Sequence, residues 1–513
     1  MKKIIGVDIG TTGCRAGIYQ EDGKFLGSKS IEYPLLSPHA TWAEQDPEQI
    51  YHGVITVIGQ AVREANLKPE DISGMCFSSV FHSLIPVDRQ GNALYPMLTW
   101  ADSRSHSYTE KIKADYDAKA IYGKTGCPIH PMYPLSKIMW FRYERPEIFA
   151  NTAKFVSIKA YVLYRFFNKY IIDKSIASGT GIYNLHELRW DADLLEMLGI
   201  AEDQLCTVHS TTHIEYNINP QLAAKMNIRP TTPVVIGAGD GVLSAVGAGT
   251  VNPGQVVAMI GTSGAVRAVT DKPQIDEKGR TWCYNLTDDY WVLGGAINNG
   301  GIALRWAKDK FSSTEQHVAE KLNLDAYDIL SRYAEQKPAG SDGLIMLPFF
   351  AGERAPYWNA NARGVLFGLN LNHGKRHIIR ATLEGIVYRM FSIYNALEEV
   401  SGSINEIRVS GSFTRSTLWV QIMADVFGKI ITVPGEPEGS AFGAAVLGMY
   451  SLGIISDIKH VTNLINIKER YYPNEENHKR YQRLYAIYER VYWNLQKEFE
   501  EIAEIQRTWT TKE

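Results

Sequence analysis

The segment Asp8-Ile-Gly10-Thr11-Thr12-Gly13 sets a carboxylate just ahead of a turn made of glycines and hydroxyls. Glycines let the backbone come close to a ligand, and free N–H groups with threonine hydroxyls can cradle phosphate oxygens. A carboxylate at that place can hold Mg2+, directly or through water. Arg15, two residues past the turn, could reach a phosphate. A second turn, Gly261-Thr262-Ser263-Gly264, has the same make-up. Either turn alone also reads as an ordinary hairpin; the pair favours phosphate.

A third turn, Gly237-Ala-Gly-Asp240-Gly241, places a carboxylate where it could take a proton from a hydroxyl attacking phosphorus. The proton moves late in such a reaction, so an ordinary carboxylate suffices as base. On spacing alone Asp240 reads rather as a turn aspartate, because Asp-Gly is a common turn pair. Phe81-His82-Ser83 and Trp100-Ala-Asp102-Ser-Arg104 gather an indole and polar groups, the usual lining of a sugar site. In isolation His82 reads as a buried histidine and Trp100 as a core residue. His and Asp are too dispersed for a zinc motif, and neither GxSxG nor GxxxxGK[ST] occurs.

These residues need strand ends to present them. Ile4–Ile9 reads as a strand, then the first turn, then a strand over 16–19 and, after Asp22-Gly23, a third over 24–28. Pro47 opens a helix with Ile50, Val54, Val57, Ile58, Ala61, Val62 and Ala65 on one face. Strands are expected at 72–80, 234–236, 255–260, 407–410 and 430–433. Helices are expected at 159–167, 377–400, 414–427 and 441–452. One terminal helix should carry Tyr481, Leu484, Tyr485, Tyr488, Val491, Tyr492, Leu495, Phe499 and Ile502 on a packing face. The middle, about 110–225, is mixed and shows no legible role. The strand-turn pattern of 4–13 is echoed at 256–264, which suggests two similarly built domains, with a boundary near 245–252.

The chain has 513 residues, 53 Lys+Arg against 56 Asp+Glu, and 45% hydrophobic residues. That excludes a mainly disordered chain and points to two or three domains. The net charge of −3 gives no reason to expect nucleic acid or an acidic membrane as partner. Five scattered cysteines without a CxxC argue against a metal cluster or a disulfide framework. The start, Met1 to Asp8, lacks the pattern of a signal peptide, and no apolar run is long enough for a membrane span. A cytoplasmic protein is expected.

Taken together, the turns resemble those of the FGGY family of carbohydrate kinases. Met132-Tyr-Pro134-Leu-Ser-Lys137-Ile138-Met-Trp140-Phe141 fits that family's first signature. Gly364-Val-Leu-Phe-Gly-Leu with His377-Ile-Ile-Arg-Ala381-Thr-Leu-Glu384 is similar to its second, Val365 standing where a small residue is usual. Ser410-Gly411-Ser412-Phe413, continuing to Asp425, resembles the adenosine-binding segment, with fewer glycines than most members have. Asn299-Gly300-Gly301 with Arg305-Trp306 is similar to a further nucleotide-side turn.

The resemblance implies an α/β fold of two ribonuclease-H-like, actin-like ATPase domains with a cleft between them. The sugar-binding domain would be 1–246 and the nucleotide-binding domain 247–513. It implies ATP and Mg2+ as cofactors, Asp240 as catalytic base and Asp8 on the Mg2+ side. Thr11, Thr12, Arg15, Gly261 and Thr262 would contact phosphates, and Gly301, Gly411, Ser412 and Ser416 would lie along the nucleotide. His82, Trp100, Asp102 and Arg104 would bind substrate with Asp240, Arg104 being open between direct contact and pairing with Asp102. Residues 77–84 and 99–104 look like the subgroup that phosphorylates gluconate, a small sugar acid. Another polyol or ketose, such as xylulose, stays open, as does a remote reading as a non-enzymatic nucleotide switch. Neither nucleic acid nor a membrane is an expected partner, and the assembly is left open, with a homodimer as one option.

Overall fold

In the computed structural model, residues 1–39, 41–435 and 439–510 are described. The chain forms two compact units. The first gathers Met1–Pro253, Val269–Leu293 and Gly435–Asn466; the second gathers Gly254–Ala268, Gly294–Pro434 and Ile467–Glu513.

The first unit is built on a six-stranded sheet. Its order is Ile214–Glu215, Val234–Gly239, Ile72–Ser79, Lys3–Ile9, Gly13–Gln20 and Phe25–Glu32. Lys3–Ile9, Ile72–Ser79 and Val234–Gly239 run parallel, while Gly13–Gln20 and Phe25–Glu32 complete an antiparallel meander. The parallel strands read as apolar runs because they are covered on both faces: Ile4, Ile5, Val7, Ile9 and all of Val234–Gly239 are buried. The helix Pro47–Glu64 covers one face. Asp46 caps it by accepting from Glu48 N–H, Pro47 opens it, and the expected face from Ile50 to Val62 is buried.

The helices Asp240–Gly247 and Ser440–Ser451 pack in close contact, together with the first strand. A Cβ on Gly443 would come within 1.9 Å of Leu243 O, one on Gly247 within 2.1 Å of Gly439 O, and one on Gly6 within 1.9 Å of Ala441 O. Only glycine permits that approach.

The second unit repeats the plan. Six strands of its seven-stranded sheet run in the order Ile467–Tyr471, Ile431–Pro434, Glu406–Ser410, Gln255–Ile260, Gly264–Thr270 and Trp291–Ile297. Gln255–Ile260 is antiparallel to Gly264–Thr270 and parallel to Glu406–Ser410, as Lys3–Ile9 is to Gly13–Gln20 and Ile72–Ser79. The 27-residue helix Lys375–Ser401 forms its spine.

Two expectations for helices need correction. The terminal helix is two, Glu475–Asn494 and Gln496–Thr510, with Leu495 as the cap that ends the first. The apolar stripe crosses the break, since Tyr481, Tyr488, Tyr492, Phe499 and Ala503 are buried, but Ile502 is exposed. The helix expected at 414–427 starts only at Thr417, after a short 3-10 turn, Ser412–Arg415, and Ser416 caps it.

Candidate active site

In the first unit the register gathers the acidic turns. Asp8 sits beside Ser78 and Gly239 beside Ser79, so Asp8, the loop after Ser79 and Asp240 all lie at the carboxyl ends of three adjacent parallel strands. That edge is where open α/β sheets bind ligands.

Asp8 is half-buried and accepts a hydrogen bond from Ser78 Oγ at 2.7 Å. Burial pushes its carboxyl above the usual range, while the hydroxyls of Ser78 and Ser440 and the charge of Arg15 pull it back. Arg15 is the cross-strand partner of Asp8 and is exposed. The turn between them is closed by Gly10 N–H donating to Gly13 O at 3.0 Å. Thr12 is exposed. Thr11 is braced twice: Trp100 Nε1 donates to its hydroxyl at 2.8 Å and Gln45 Nε2 to its carbonyl at 2.7 Å. Trp100 is therefore half-buried against the phosphate-type turn rather than in the core.

Asp240 is half-buried and opens the helix Asp240–Gly247, its Oδ1 accepting the N–H of Gly241 at 2.6 Å. The strand before it is irregular. Gly237 has φ +74°, the register shifts between Val235 and Ala238, and a Cβ on Gly237 would lie 1.7 Å from Phe77 O.

His82 is buried and adopts φ +65°, which is strained for a residue with a side chain. Its Nδ1 lies 2.6 Å from Gly179 O and so carries the proton. Tyr133 meets its ring edge-on at 4.8 Å. Its carbonyl accepts from Lys137 Nζ at 2.7 Å, and the same ammonium donates to Thr99 O at 2.7 Å, tying together the loops of His82 and Trp100. Burial pulls Lys137 down to about 7, against the attraction of Asp102.

Asp102 and Arg104 face each other. Arg104 Nη2 lies 2.7 Å from both Asp102 Oδ2 and Glu44 Oε1, its Nε donates to Asp102, and its Nη1 donates to Tyr95 Oη at 3.2 Å. The guanidinium stacks on Trp42 at 3.7 Å. Of the two roles left open for Arg104, the geometry is that of the buried pair.

In the second unit a cavity of about 250 Å³ is lined by Gly261, Thr262, Gly301, Ser412 and Ser416, five of the residues expected on the nucleotide. Gly301 N–H donates to Gly261 O at 2.7 Å and Ile302 N–H to Thr262 O at 3.1 Å, so a helix start fixes the turn. Gly411, at φ +98°, bends the chain into this cavity where a Cβ would meet Ile260 O at 2.5 Å. Asp325, Tyr327, Asp328 and Ser331 also line it; their short polar pattern in a helix carried no signal in the sequence. Sequence reasoning likewise missed Gln45, Ser78 and Ser440, whose role comes only from tertiary contact. Among the described residues no cluster of three or more His, Cys, Asp or Glu could hold a metal, all five cysteines are buried and free, and no helix is long and apolar enough to cross a membrane.

Residues 3–247 match the N-terminal domain, and residues 256–452 the C-terminal domain, of the FGGY family of carbohydrate kinases. The chain belongs to this family. It is 44% identical to a gluconokinase of Bacillus subtilis (strain 168), over 98% of each chain. A gluconate kinase structure from Lactobacillus acidophilus superposes with a TM-score of 0.92 at 33% identity, covering 98% of this chain and 99% of that one. A ligand-bound xylulose kinase from the same organism gives 0.92 at 32%, covering 98% and 100%. The fold of this carbohydrate kinase is accordingly the two-domain ribonuclease-H-like, actin-like one.

Proposed function

We propose that this kinase transfers the γ-phosphoryl group of ATP to the terminal hydroxyl of D-gluconate, giving 6-phospho-D-gluconate. The observation that carries the choice of acceptor is the 44% identity, along nearly the whole chain, to a protein named gluconokinase. ATP is the phosphoryl donor of the family.

In this reading the hydroxyl oxygen attacks the γ-phosphorus in line and the new O–P bond forms as the bond to the bridging oxygen breaks. ADP leaves with that electron pair, and Asp240 takes the hydroxyl proton. Asp240 stands at a strand end, fixed by its own helix start, which suits a base that must meet one hydroxyl. Thr11, Thr12 and Arg15 in the first unit, and Gly261 and Thr262 in the second, hold phosphate oxygens. Gly301, Gly411, Ser412 and Ser416 run along the nucleoside. His82 and Trp100 meet the sugar acid, while Asp102 and Arg104 shape the wall behind them. The sugar side with the base falls to 1–246 and the nucleotide side to 247–513.

Mg2+ bound with ATP would neutralise charge on the β- and γ-phosphates. Asp8 fits that ion: a lone carboxylate at a strand end is the usual protein share of a site completed by phosphates. A cation beside it would also offset the burial that disfavours its ionised form. A second acceptor, xylulose, is favoured by the superposition with the xylulose kinase structure.

The test of the mechanism is Asp240→Asn. Turnover should fall by about 10²- to 10⁴-fold, the usual worth of a general base, while ATP binding measured by calorimetry persists. Near-native turnover in that variant would reject Asp240 as base.

A further inference from the structure

The peptide unit that delivers Asp240 is gripped on both of its polar ends. Lys159, on the helix Ile158–Phe167, is fully buried, and its Nζ donates to Ala238 O at 3.0 Å. Ser175 Oγ accepts the N–H of Gly239 at 3.2 Å. Ala238 C=O and Gly239 N–H belong to one peptide plane, so two side chains on opposite sides fix its rotation one residue before the carboxylate. Lys159 is held in turn by Asp173, whose Oδ2 lies 2.7 Å from its Nζ. Asp173 is immobilised by its Oδ1, which accepts the N–H of Ile176 at 2.9 Å. Neither Lys159, Asp173 nor Ser175 has a part in the phosphoryl transfer described above.

We propose that Lys159, seated on Asp173 and assisted by Ser175, is a positioning residue that sets the aim of the Asp240 carboxylate. The inference rests on the reading of Asp240 as base. The groups that face Lys159 are Asp173, at the end of the strand Ile171–Asp173, Cys76, on the strand Ile72–Ser79, and Asp240. Burial lowers the proton affinity of Lys159, and these three groups raise it. Fixing the peptide plane matters for rate because a misaimed base loses proximity without losing binding.

The experiment compares Ser175→Ala and Lys159→Met with the wild-type chain in a coupled assay with gluconate and ATP, kcat and KM for ATP being read separately. Lys159→Met should lower kcat by roughly 10- to 100-fold and leave KM for ATP unchanged. Ser175→Ala should lower kcat by a smaller factor, again with KM for ATP unchanged. Should Lys159→Met fail to fold because Asp173 is stranded, Lys159→Met/Asp173→Asn removes both charges; its kcat should fall similarly with ATP affinity unchanged. Folded Lys159 variants with kcat within twofold of wild type would overturn the proposal. Asp240→Asn, run in parallel, separates the failures. If that variant is active, the base assignment falls; if it is inactive while Lys159→Met is at full rate, only the present inference falls.

Discussion

Arg104 shows how a single side chain divides between site and scaffold. Its guanidinium is committed to Asp102 and Glu44, stacks on Trp42, and is 1% exposed at the side chain. Arg104→Gln would strand two buried carboxylates, and breaking such a pair costs about 3–5 kcal/mol. Urea unfolding should register that loss, and a change below about 1 kcal/mol would contradict the buried-pair geometry. The sequence could not choose between contact and pairing, because an Asp-x-Arg spacing says nothing about where the long side chain turns. Trp100 and His82 were similar. Their types suggested a sugar wall, but the bond from Trp100 to Thr11 and the left-handed backbone at His82 depend on residues far along the chain.

At the scale of elements, what matters is how closely strands and helices approach. Gly237 turns the strand Val234–Gly239 out of regular register with its Cα pressed on Phe77 O. Gly237→Ala requires a positive φ and a clash with main chain, so it should cost at least about 2 kcal/mol and also misplace Asp240. Thermal unfolding with a kcat measurement checks both, and a stable, fully active variant would contradict the reading of this bulge. The hairpin turns and the helix Pro47–Glu64 were legible because they depend on local signals: glycines, a proline at the first turn and a 3.6-residue period. The break at Leu495 was not, since the apolar stripe runs straight across it and only the backbone changes course. Most of the region 110–225 also stayed silent in the sequence. In the structure it supplies Lys137, Lys159, Asp173, Ser175 and Gly179, the groups that brace the loop of His82 and the strand end of Asp240. Apart from Lys137, which lies in the family's first signature, these bracing residues are buried polar groups without a motif, so no periodicity marks them.

For the whole molecule, one plan is used twice. Both units hold a parallel core strand paired with a hairpin strand, and both place a Gly-Thr turn between them. The short echo of 4–13 in 256–264 was the trace of this repeat in the sequence. The return of Gly435–Asn466 to the first unit was not legible, because a helix full of Gly and Ala packs equally well in either half on composition alone. Family membership covers both units, and the acceptor is what differs among the relatives, a gluconokinase on one side and a xylulose kinase on the other. The most direct test of the account is therefore an ADP-release assay with saturating ATP and Mg2+ across gluconate, xylulose, glycerol and related polyols. Gluconate should give the highest kcat/KM, with phosphate found on its terminal oxygen. A higher kcat/KM for xylulose or another neutral polyol, or ATP hydrolysis at one rate whatever sugar is added, would contradict it.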